Sequence, residues 1–302
     1  MRAVRFAPTL GTAQLGIPYG VANVTGMPTE QEAQRIIHRA IDWGVSHIDT
    51  VRAYGASEER IGAALTGCRR DKIKLVTKVA PLRHTHHETM RAATQDSIAQ
   101  SYRALRADFI DVLLLHRCDM LNLAEGAAWQ CLVELRSTGR AGLIGVSAQN
   151  AQEVATAAMN PDVGFIQLHY NLLDHRYGWL MPLRDGLTVH ARSTLLQGLL
   201  AGGPLEVWPP IAGLDQRELV ERLECLVGRL ERRSMADLAL AYVRAQPWVE
   251  SIVFGVETLD QLEENLALFE TAALSRQGVR TVDESLPRVP ERLLDPAKWY
   301  AV

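Results

Sequence analysis

Residues 48–65 read I-D-T-V-R-A-Y-G-A-S-E-E-R-I-G-A-A-L and predict a strand, a tight connection and a helix. The strand is His47–Val51, and Ser57 is the predicted N-cap of the helix because two glutamates follow it, where the helix dipole favours acids. Asp49 is therefore expected at the carboxyl end of a strand, and Tyr54 on the loop that follows. In parallel α/β folds this end of the strands carries the chemistry. From this stretch alone, a capping aspartate and a packing tyrosine are an equally good interpretation.

Seven further apolar strands are predicted around this one, and helical segments alternate with them. They begin near Thr9, Lys72, Ile110, Gly142, Phe165, Leu187 and Ser251. Regular alternation over about 250 residues predicts an α/β fold with a parallel sheet closed into a (β/α)8 barrel. A doubly wound open sheet is the alternative, but no strand-to-helix turn carries G-x-G-x-x-G.

The whole chain, residues 1–302, is predicted to be a single domain. The barrel is expected to cover about residues 9–270, with a long insertion before Met235. The C-terminal segment, about residues 275–302, contains three prolines and is expected to be largely irregular.

Composition limits the possible partners. A hydrophobic content of 47% and a charged content of 22% are ordinary for a soluble globular protein. The formal net charge of −3 gives no reason to expect nucleic acid or a membrane as partner, and neither a signal peptide nor a spanning helix is expected. The four cysteines have no metal-binding spacing and are expected to be reduced thiols of a cytoplasmic protein. Nothing in the sequence predicts the oligomeric state or the physiological substrate.

Ionisable side chains end three successive predicted strands. These are Asp49, Lys78 and His116, and Tyr54 follows the first of them. In a closed barrel they lie around one rim and suit proton delivery to a carbonyl oxygen. We expect the Lys78 ammonium to lower the pKa of Tyr54, Asp49 to hold Lys78, and His116 to orient the carbonyl oxygen. Because no obvious nucleophile is present, a hydride would come from a cofactor.

This set of residues resembles the aldo-keto reductases. Their pattern, D-T-A-x-x-Y-G-x-S-E followed by a Lys and a His, is matched by I-D-T-V-R-A-Y-G-A-S-E at 48–58, by Lys78 and by His116. The resemblance extends from about Thr9 to Phe269. It implies an NAD(P)H-dependent oxidoreductase that interconverts an aldehyde or ketone, sugar-like carbonyl compounds included, and the alcohol, with Tyr54 as proton donor. Two alternatives stay open: a redox-sensing regulatory subunit with little turnover, and an NAD-linked aldose dehydrogenase.

The resemblance also implies the contacts to the cofactor. Ser147 and Gln167 match residues that hold the nicotinamide carboxamide, although Ala148 stands where the family usually has Asn. Arg192 replaces the aromatic residue that stacks on the nicotinamide, and a guanidinium plane can also stack. Among the other implied cofactor contacts, Ser193, Leu195 and Gln197 would line the pyrophosphate, and Gly255, Gln261, Glu264 and Asn265 would lie at the adenosine end. The resemblance also implies cofactor contacts for Thr12 and Asp49.

The choice between NADPH and NADH is open. NADPH is the family default, and Lys and Arg often hold its 2′-phosphate. This chain has Gly255 and Gln261 at those positions, with Glu257 and Asp260 nearby. Acidic groups repel a phosphate, so NADH use is also expected.

Three other features each have two interpretations. Arg52, with Tyr54 and His116, is a predicted substrate contact that would favour a polyhydroxy or anionic substrate, or else it is a solvated loop charge. The tract His84–His87 can bind metal, but no carboxylate or cysteine accompanies it, so a loop that borders the pocket is expected and no metal. Trp299 and Tyr300 either cover the barrel mouth, as C-terminal segments of the family often do, or belong to a disordered tail.

Overall fold

Eight parallel strands pair in chain order and close into a barrel. The computed structural model describes Phe6, residues 8–177 and residues 185–299. The strands are β1 (Thr9–Gly11), β2 (His47–Asp49), β3 (Lys74–Val79), β4 (Ile110–Leu115), β5 (Ala141–Ala148), β6 (Phe165–His169), β7 (Thr188–Arg192) and β8 (Ser251–Gly255). The predicted (β/α)8 barrel is confirmed.

Helices surround the barrel. They are α1 (Glu30–Trp43), α2 (Ser57–Ala64), α3 (His87–Leu105), α4 (Ala127–Ser137), α5 (Ala151–Met159), α6 (Gln216–Arg229), α7 (Met235–Arg244), α8 (Leu259–Phe269) and α9 (Arg276–Ser285). In the described part of the chain, none of the helices combines the length and the apolar character that crossing a membrane requires.

Successive side chains of each strand point alternately toward the helices and toward the barrel axis, so the core has an outer and an inner layer. The positions that face the helices are apolar and buried, as Leu10, Ile48 and Leu75 are. The positions that face the barrel axis build a small inner cluster at mid-height, made of Val76, Val112, Leu114 and Phe165. Because this cluster fills the barrel axis, the polar inward positions of the strands are left at its ends, and those at the carboxyl end form the mouth.

Helix α1 shows how local sequence sets these elements. The side chain of Thr29 accepts a hydrogen bond from the Glu32 backbone, and the Glu32 carboxylate accepts one from the Thr29 backbone, which completes a capping box. Gly44 ends the helix with φ of 109°, a left-handed conformation that glycine adopts without steric cost.

The C-terminal segment differs from its expected irregular form, because residues 276–285 form α9. Ser275 caps this helix by accepting from the Gly278 backbone at 3.1 Å. Further along, Trp299 is buried and its indole Nε1 donates to the Leu293 carbonyl oxygen at 2.9 Å. The expectation of an irregular segment is therefore wrong for α9, and Tyr300 lies outside the described residues. The predicted insertion likewise contains a helix, α6.

Candidate active site

Asp49 and Lys78 form a buried ion pair at the mouth of the barrel. Asp49 is the last residue of β2 and Lys78 lies near the end of the adjacent β3, and they are 4% and 2% exposed. The Lys78 ammonium donates to both carboxylate oxygens of Asp49 at 2.8 Å and to the Thr50 carbonyl oxygen at 2.9 Å. All three ammonium protons therefore have acceptors, which offsets the cost of removing the two charges from water. Burial lowers the pKa of Lys78, and Asp49 opposes that shift.

Tyr54 lies on the loop between β2 and α2, beside His116. The two rings meet edge to face with their centroids 6.5 Å apart. Burial raises the pKa of Tyr54, nearby Tyr19 and Asp49 add to the rise, and Arg192 opposes it. The expectation that Lys78 lowers this pKa is therefore wrong here, because Asp49 balances the charge of Lys78 and burial dominates. The phenol keeps its proton at neutral pH, as a proton donor must.

His116 follows β4 directly and is neutral. Burial, together with the positive charges of Lys78 and Arg192, lowers its pKa to about 3. Its buried Nδ1 has no hydrogen-bond partner among the described residues. A neutral imidazole still carries one N–H, so His116 can donate a hydrogen bond to a carbonyl oxygen without itself becoming charged.

Arg52 is held against the start of α2. Its guanidinium donates to the carboxylates of Glu58 at 2.7 Å and Glu59 at 2.9 Å, and to the Gly55 carbonyl oxygen at 3.1 Å. The side chain of Arg52 is only 16% exposed. The interpretation of Arg52 as a solvated loop charge is therefore wrong, and its contact with substrate stays a prediction.

Ser57 is not the N-cap of α2. Ala56 occupies the cap position and makes no side-chain hydrogen bond, while Ser57 is the first helical residue. The Ser57 hydroxyl points inward instead, donating to Thr12 Oγ1 at 2.7 Å and lying 2.9 Å from Thr50 Oγ1. Thr12 in turn donates to the Asp49 carbonyl oxygen at 2.8 Å. The hydroxyl of Thr12, a predicted cofactor contact, is thus hydrogen-bonded within the protein and ties the first residues of α2 to the end of β2.

The predicted carboxamide contacts lie on the strands opposite Asp49. Ser147 on β5 pairs in register with Gln167 on β6. Gln167 Nε2 donates to Asp49 Oδ2 at 2.8 Å, whereas the buried Ser147 Oγ has no hydrogen-bond partner among the described residues. A buried hydroxyl without a partner is costly, and a polar ligand such as an amide would satisfy it. These residues therefore fit the amide end of a nicotinamide cofactor.

His169 at the end of β6 contacts residues at the ends of both neighbouring strands, β5 and β7, and we did not predict this role. Its Nε2 lies 2.8 Å from Gln149 Oε1, and its Nδ1 lies 2.8 Å from Ser193 Oγ and 3.3 Å from Arg192 Nη1. Burial lowers the pKa of His169 well below its usual value, and Arg192 adds to this, so the ring is neutral. The signal was present in the sequence, since His169 follows Gln167 by two residues on one strand and must face the same side.

The loop after β7 has a left-handed backbone at several residues other than glycine. Ser193, Leu196 and Gln197 have φ of 58°, 47° and 52°. Gln197 Nε2 reaches the Tyr19 hydroxyl at 3.4 Å, and the intervening Leu195 is half-buried. Such strain is held by the surrounding structure and is typical of ligand-binding loops. The predicted pyrophosphate contacts Ser193, Leu195 and Gln197 all lie in this loop.

The predicted adenosine contacts lie after β8 and on α8. The Gln261 side chain accepts from the Glu257 backbone at 2.8 Å and donates to its carboxylate at 2.7 Å. Gly255 packs against the Gln14 side-chain amide, which occupies the space that a Cβ would need. Glu264 is exposed and Asn265 is half-buried.

The histidine tract lies just before and at the start of α3. His84 and His86 are exposed, and His87 Nε2 lies 3.3 Å from Gln130 Oε1. Over the described ranges, no group of three or more histidine, cysteine, aspartate or glutamate side chains is arranged to hold a metal ion.

Comparison with known proteins gives one consistent family. The model of the Aldo/keto reductase family matches residues 9–287. The uncharacterized oxidoreductase YqkF of Bacillus subtilis is 24% identical over 289 residues, covering 90% of this chain and 94% of that protein. The NADH-specific methylglyoxal reductase of Escherichia coli K12 is 28% identical over 258 residues, covering 74% and 78%. The holo form of aldo-keto reductase AKR11C1 from Bacillus halodurans has the same fold, with a TM-score of 0.76 at 23% identity and coverage of 93% and 92%.

Proposed function

We propose, from the premise that the chain belongs to the aldo/keto reductase family, that Tyr54 donates the proton in an NAD(P)H-dependent reduction of an aldehyde or ketone to the alcohol. The observation that carries this assignment is the buried Lys78–Asp49 pair, with its three hydrogen bonds, near the edge-to-face pair of Tyr54 and His116. A nicotinamide cofactor, when bound, supplies the hydride.

Each of the residues around the carbonyl oxygen of the substrate then has a separate role. His116 donates a hydrogen bond that orients the oxygen, and Tyr54 delivers the proton as negative charge develops on it. The Lys78–Asp49 pair holds its balanced charges near Tyr54, and the charge of Arg192, which opposes the rise in the pKa of Tyr54, favours the phenolate that Tyr54 leaves behind. Since the pair is already in place before the reaction, little reorganisation is needed during it.

The cofactor contacts support NADH use at least equal to NADPH use. The carboxylate of Glu257 is fixed by Gln261 at the predicted adenosine end. A fixed negative charge there would repel a 2′-phosphate but not a 2′-hydroxyl. A related protein, the Escherichia coli methylglyoxal reductase, is named as NADH-specific.

We also propose that the substrate is a small carbonyl compound and that the protein is cytoplasmic. The free thiols of Cys118, Cys131 and Cys225 agree with a cytoplasmic location.

Two measurements test this proposal. Fluorescence titrations with NADH and with NADPH should give saturable binding, tighter or equal for NADH. Turnover of methylglyoxal and of simple aldehydes should then be followed with wild type and with Tyr54→Phe. We expect the variant to lose at least about 100-fold in kcat while its dinucleotide affinity stays within about twofold, because the ring remains and only the hydroxyl that carries the proton is lost.

The outcomes separate the competing functions. Binding of neither dinucleotide would remove the hydride source and the enzyme assignment with it. Binding without turnover of any carbonyl compound would favour a redox-sensing regulatory protein. Faster oxidation of an aldose with NAD⁺ than reduction of aldehydes would identify an aldose dehydrogenase, and retained turnover in Tyr54→Phe would contradict the proton-donor assignment.

A further inference from the structure

Arg192 is a half-buried cation without an anionic partner in the part of the chain that the structure describes. It ends β7 opposite His169 of β6, and its Nη1 lies 3.3 Å from His169 Nδ1. Its Nε is buried without a hydrogen-bond acceptor, and the guanidinium forms no ion pair with any residue that the structure describes. Other arginines that follow strand ends are paired: Arg52 with Glu58 at 2.7 Å, Arg117 with Asp119 at 3.1 Å and Arg176 with Asp174 at 2.6 Å.

The charges around the mouth therefore do not balance. Lys78 is balanced by Asp49, and both His116 and His169 are neutral because burial lowers their pKa values. Arg192 leaves one net positive charge. Its electrostatic effect reaches the reacting groups, since it opposes the rise in the pKa of Tyr54 and lowers the pKa of His116.

Arg192 also lies next to the place where the nicotinamide ring must sit. Hydride and proton are delivered to the two atoms of one carbonyl group, so the ring must lie close to Tyr54. Ser147 on β5, whose buried hydroxyl has no partner among the described residues, pairs in register with Gln167 on β6. Arg192 ends the next strand, two register positions beyond Gln167 along β6.

We propose that Arg192 makes this site bind the reduced nicotinamide more tightly than the oxidised form and so biases the enzyme toward carbonyl reduction. This inference rests on the proposed function. When the carbonyl carbon accepts the hydride, the carbonyl oxygen takes the proton of Tyr54 and the nicotinamide ring is left with one positive charge. A guanidinium stays charged at every relevant pH, so it repels the oxidised ring and leaves the reduced ring unaffected. A ligand pair with unequal affinities shifts the bound equilibrium by that same ratio.

The test compares affinities for the two redox forms rather than activity. Wild type, Arg192→Met and Arg192→Lys are titrated with NADH and NAD⁺, and with NADPH and NADP⁺, by protein fluorescence and by calorimetry. We expect the ratio of the oxidised to the reduced dissociation constant to fall about tenfold or more in Arg192→Met. Arg192→Lys keeps the charge and should keep most of the ratio.

Arg117→Met is the matched control. It also removes a cation next to His116, but one that Asp119 already balances, so its ratio should equal that of wild type. If Arg192→Met does not fold, as judged by circular dichroism, Arg192→Gln supplies a second neutral side chain of polar character.

Three results would each contradict the proposed function or the proposed role of Arg192, and the measurements distinguish them. A wild-type protein that binds no dinucleotide removes the proposed function itself. Normal binding with an unchanged ratio in the neutral variants removes only the role of Arg192 in redox bias. An unchanged ratio together with a raised KM for carboxylated or phosphorylated carbonyl compounds would assign Arg192 to the substrate instead.

Discussion

Buried polar atoms near the mouth differ in whether the described part of the protein satisfies their hydrogen bonds. The hydroxyls of Thr12 and Ser57 are both satisfied within the protein, whereas the Ser147 hydroxyl and His116 Nδ1 have no partner among the described residues. All four side chains are polar and lie at the end of a strand or in the connection that follows one, so sequence alone does not separate them. The difference appears only when the neighbouring strands are placed, because a partner on another strand decides whether a hydroxyl remains available.

Replacing Ser147 by Ala should separate affinity from stability. We expect the affinity for the preferred dinucleotide to fall about five- to tenfold, as for the loss of one hydrogen bond. Without cofactor the free energy of unfolding should stay unchanged or rise by up to about 1 kcal/mol, because a buried polar atom without a partner is removed. Urea denaturation of the cofactor-free protein and a fluorescence titration measure the two effects.

Ser97→Ala is the control for this comparison. The Ser97 hydroxyl is also buried, but it accepts a hydrogen bond from the Ala80 backbone at 3.1 Å. This variant should lose about 1 kcal/mol of stability and keep its dinucleotide affinity. Equal losses of stability in both serine variants would show that Ser147 has a structural partner and is not a cofactor contact.

At the scale of elements, the β2–α2 connection was predicted correctly as strand, loop and helix, but its internal contacts were not. The pattern of Ser57 followed by two glutamates is typical of a helix start, and the helix does begin there. The sequence did not indicate that Gly16 of the first loop approaches so closely that the Tyr54 carbonyl oxygen and Ser57 lie where its side chain would be. This approach brings Thr12 to the Ser57 hydroxyl, which then serves the loop rather than the helix end.

The same connection depends on Arg52, which joins the loop to α2. Arg52→Met leaves the Glu58 carboxylate, which is 1% exposed, with the Thr77 hydroxyl as a neutral partner at 2.6 Å. We expect the free energy of unfolding to fall by about 2 kcal/mol at pH 8, since breaking a buried ion pair leaves a charge without its counterion. Tyr54 sits on the loop that Arg52 holds, so kcat should fall several-fold as well.

The pH dependence of this loss follows from Glu58. Burial raises the pKa of Glu58, and Arg52 opposes the rise, so the pKa is higher still in Arg52→Met. A carboxyl with a raised folded-state pKa destabilises the protein above that pKa and ceases to do so once protonated. The stability difference between wild type and variant should therefore shrink between pH 8 and pH 5, as urea denaturation at the two pH values would measure.

Glu59→Gln serves as the control because its side chain is 53% exposed and its pairing with Arg52 is open to solvent. It should cost less than about 1 kcal/mol at either pH. A raised KM in Arg52→Met with no loss of stability would contradict the structural role and support the predicted substrate contact.

For the whole molecule, the barrel was predicted correctly, whereas helix α9 in the C-terminal segment was not. Each barrel strand is apolar on its helix-facing side, so the β/α alternation is visible in the sequence over most of the chain. Helix α9, R-Q-G-V-R-T-V-D-E-S, buries only Gly278, Thr281 and Val282. Helix α9 is nevertheless amphipathic, and the wrong expectation came from the three prolines of the segment, which all lie beyond residue 285. The contacts that stabilise α9 come from residues far away in sequence.

One of those contacts joins the segment to the barrel. The Tyr242 hydroxyl of α7 donates to Asp283 Oδ1 of α9 at 2.6 Å, and the Tyr242 ring stacks with Tyr170 at a centroid distance of 6.2 Å. Asp283→Ala should lower the free energy of unfolding by about 1 to 3 kcal/mol, because the buried Tyr242 hydroxyl loses its charged acceptor. Adding Tyr242→Phe to this variant should cost little more, since the hydroxyl whose charged acceptor is missing is then gone, and only its long 3.5 Å hydrogen bond from the Tyr170 hydroxyl is lost with it.

Thermal and urea denaturation of the two single variants and the double variant complete this cycle. Strictly additive losses would mean that Asp283 and Tyr242 act independently and that α9 is not held through this bond. A chain ending at residue 274 gives the second comparison, because it removes α9 and the buried Trp299 together. We expect it to unfold at a lower temperature than any of the point variants. If instead it were as stable as the full chain, α9 would be dispensable for the barrel, and the segment would behave as the loose tail that its composition alone suggests.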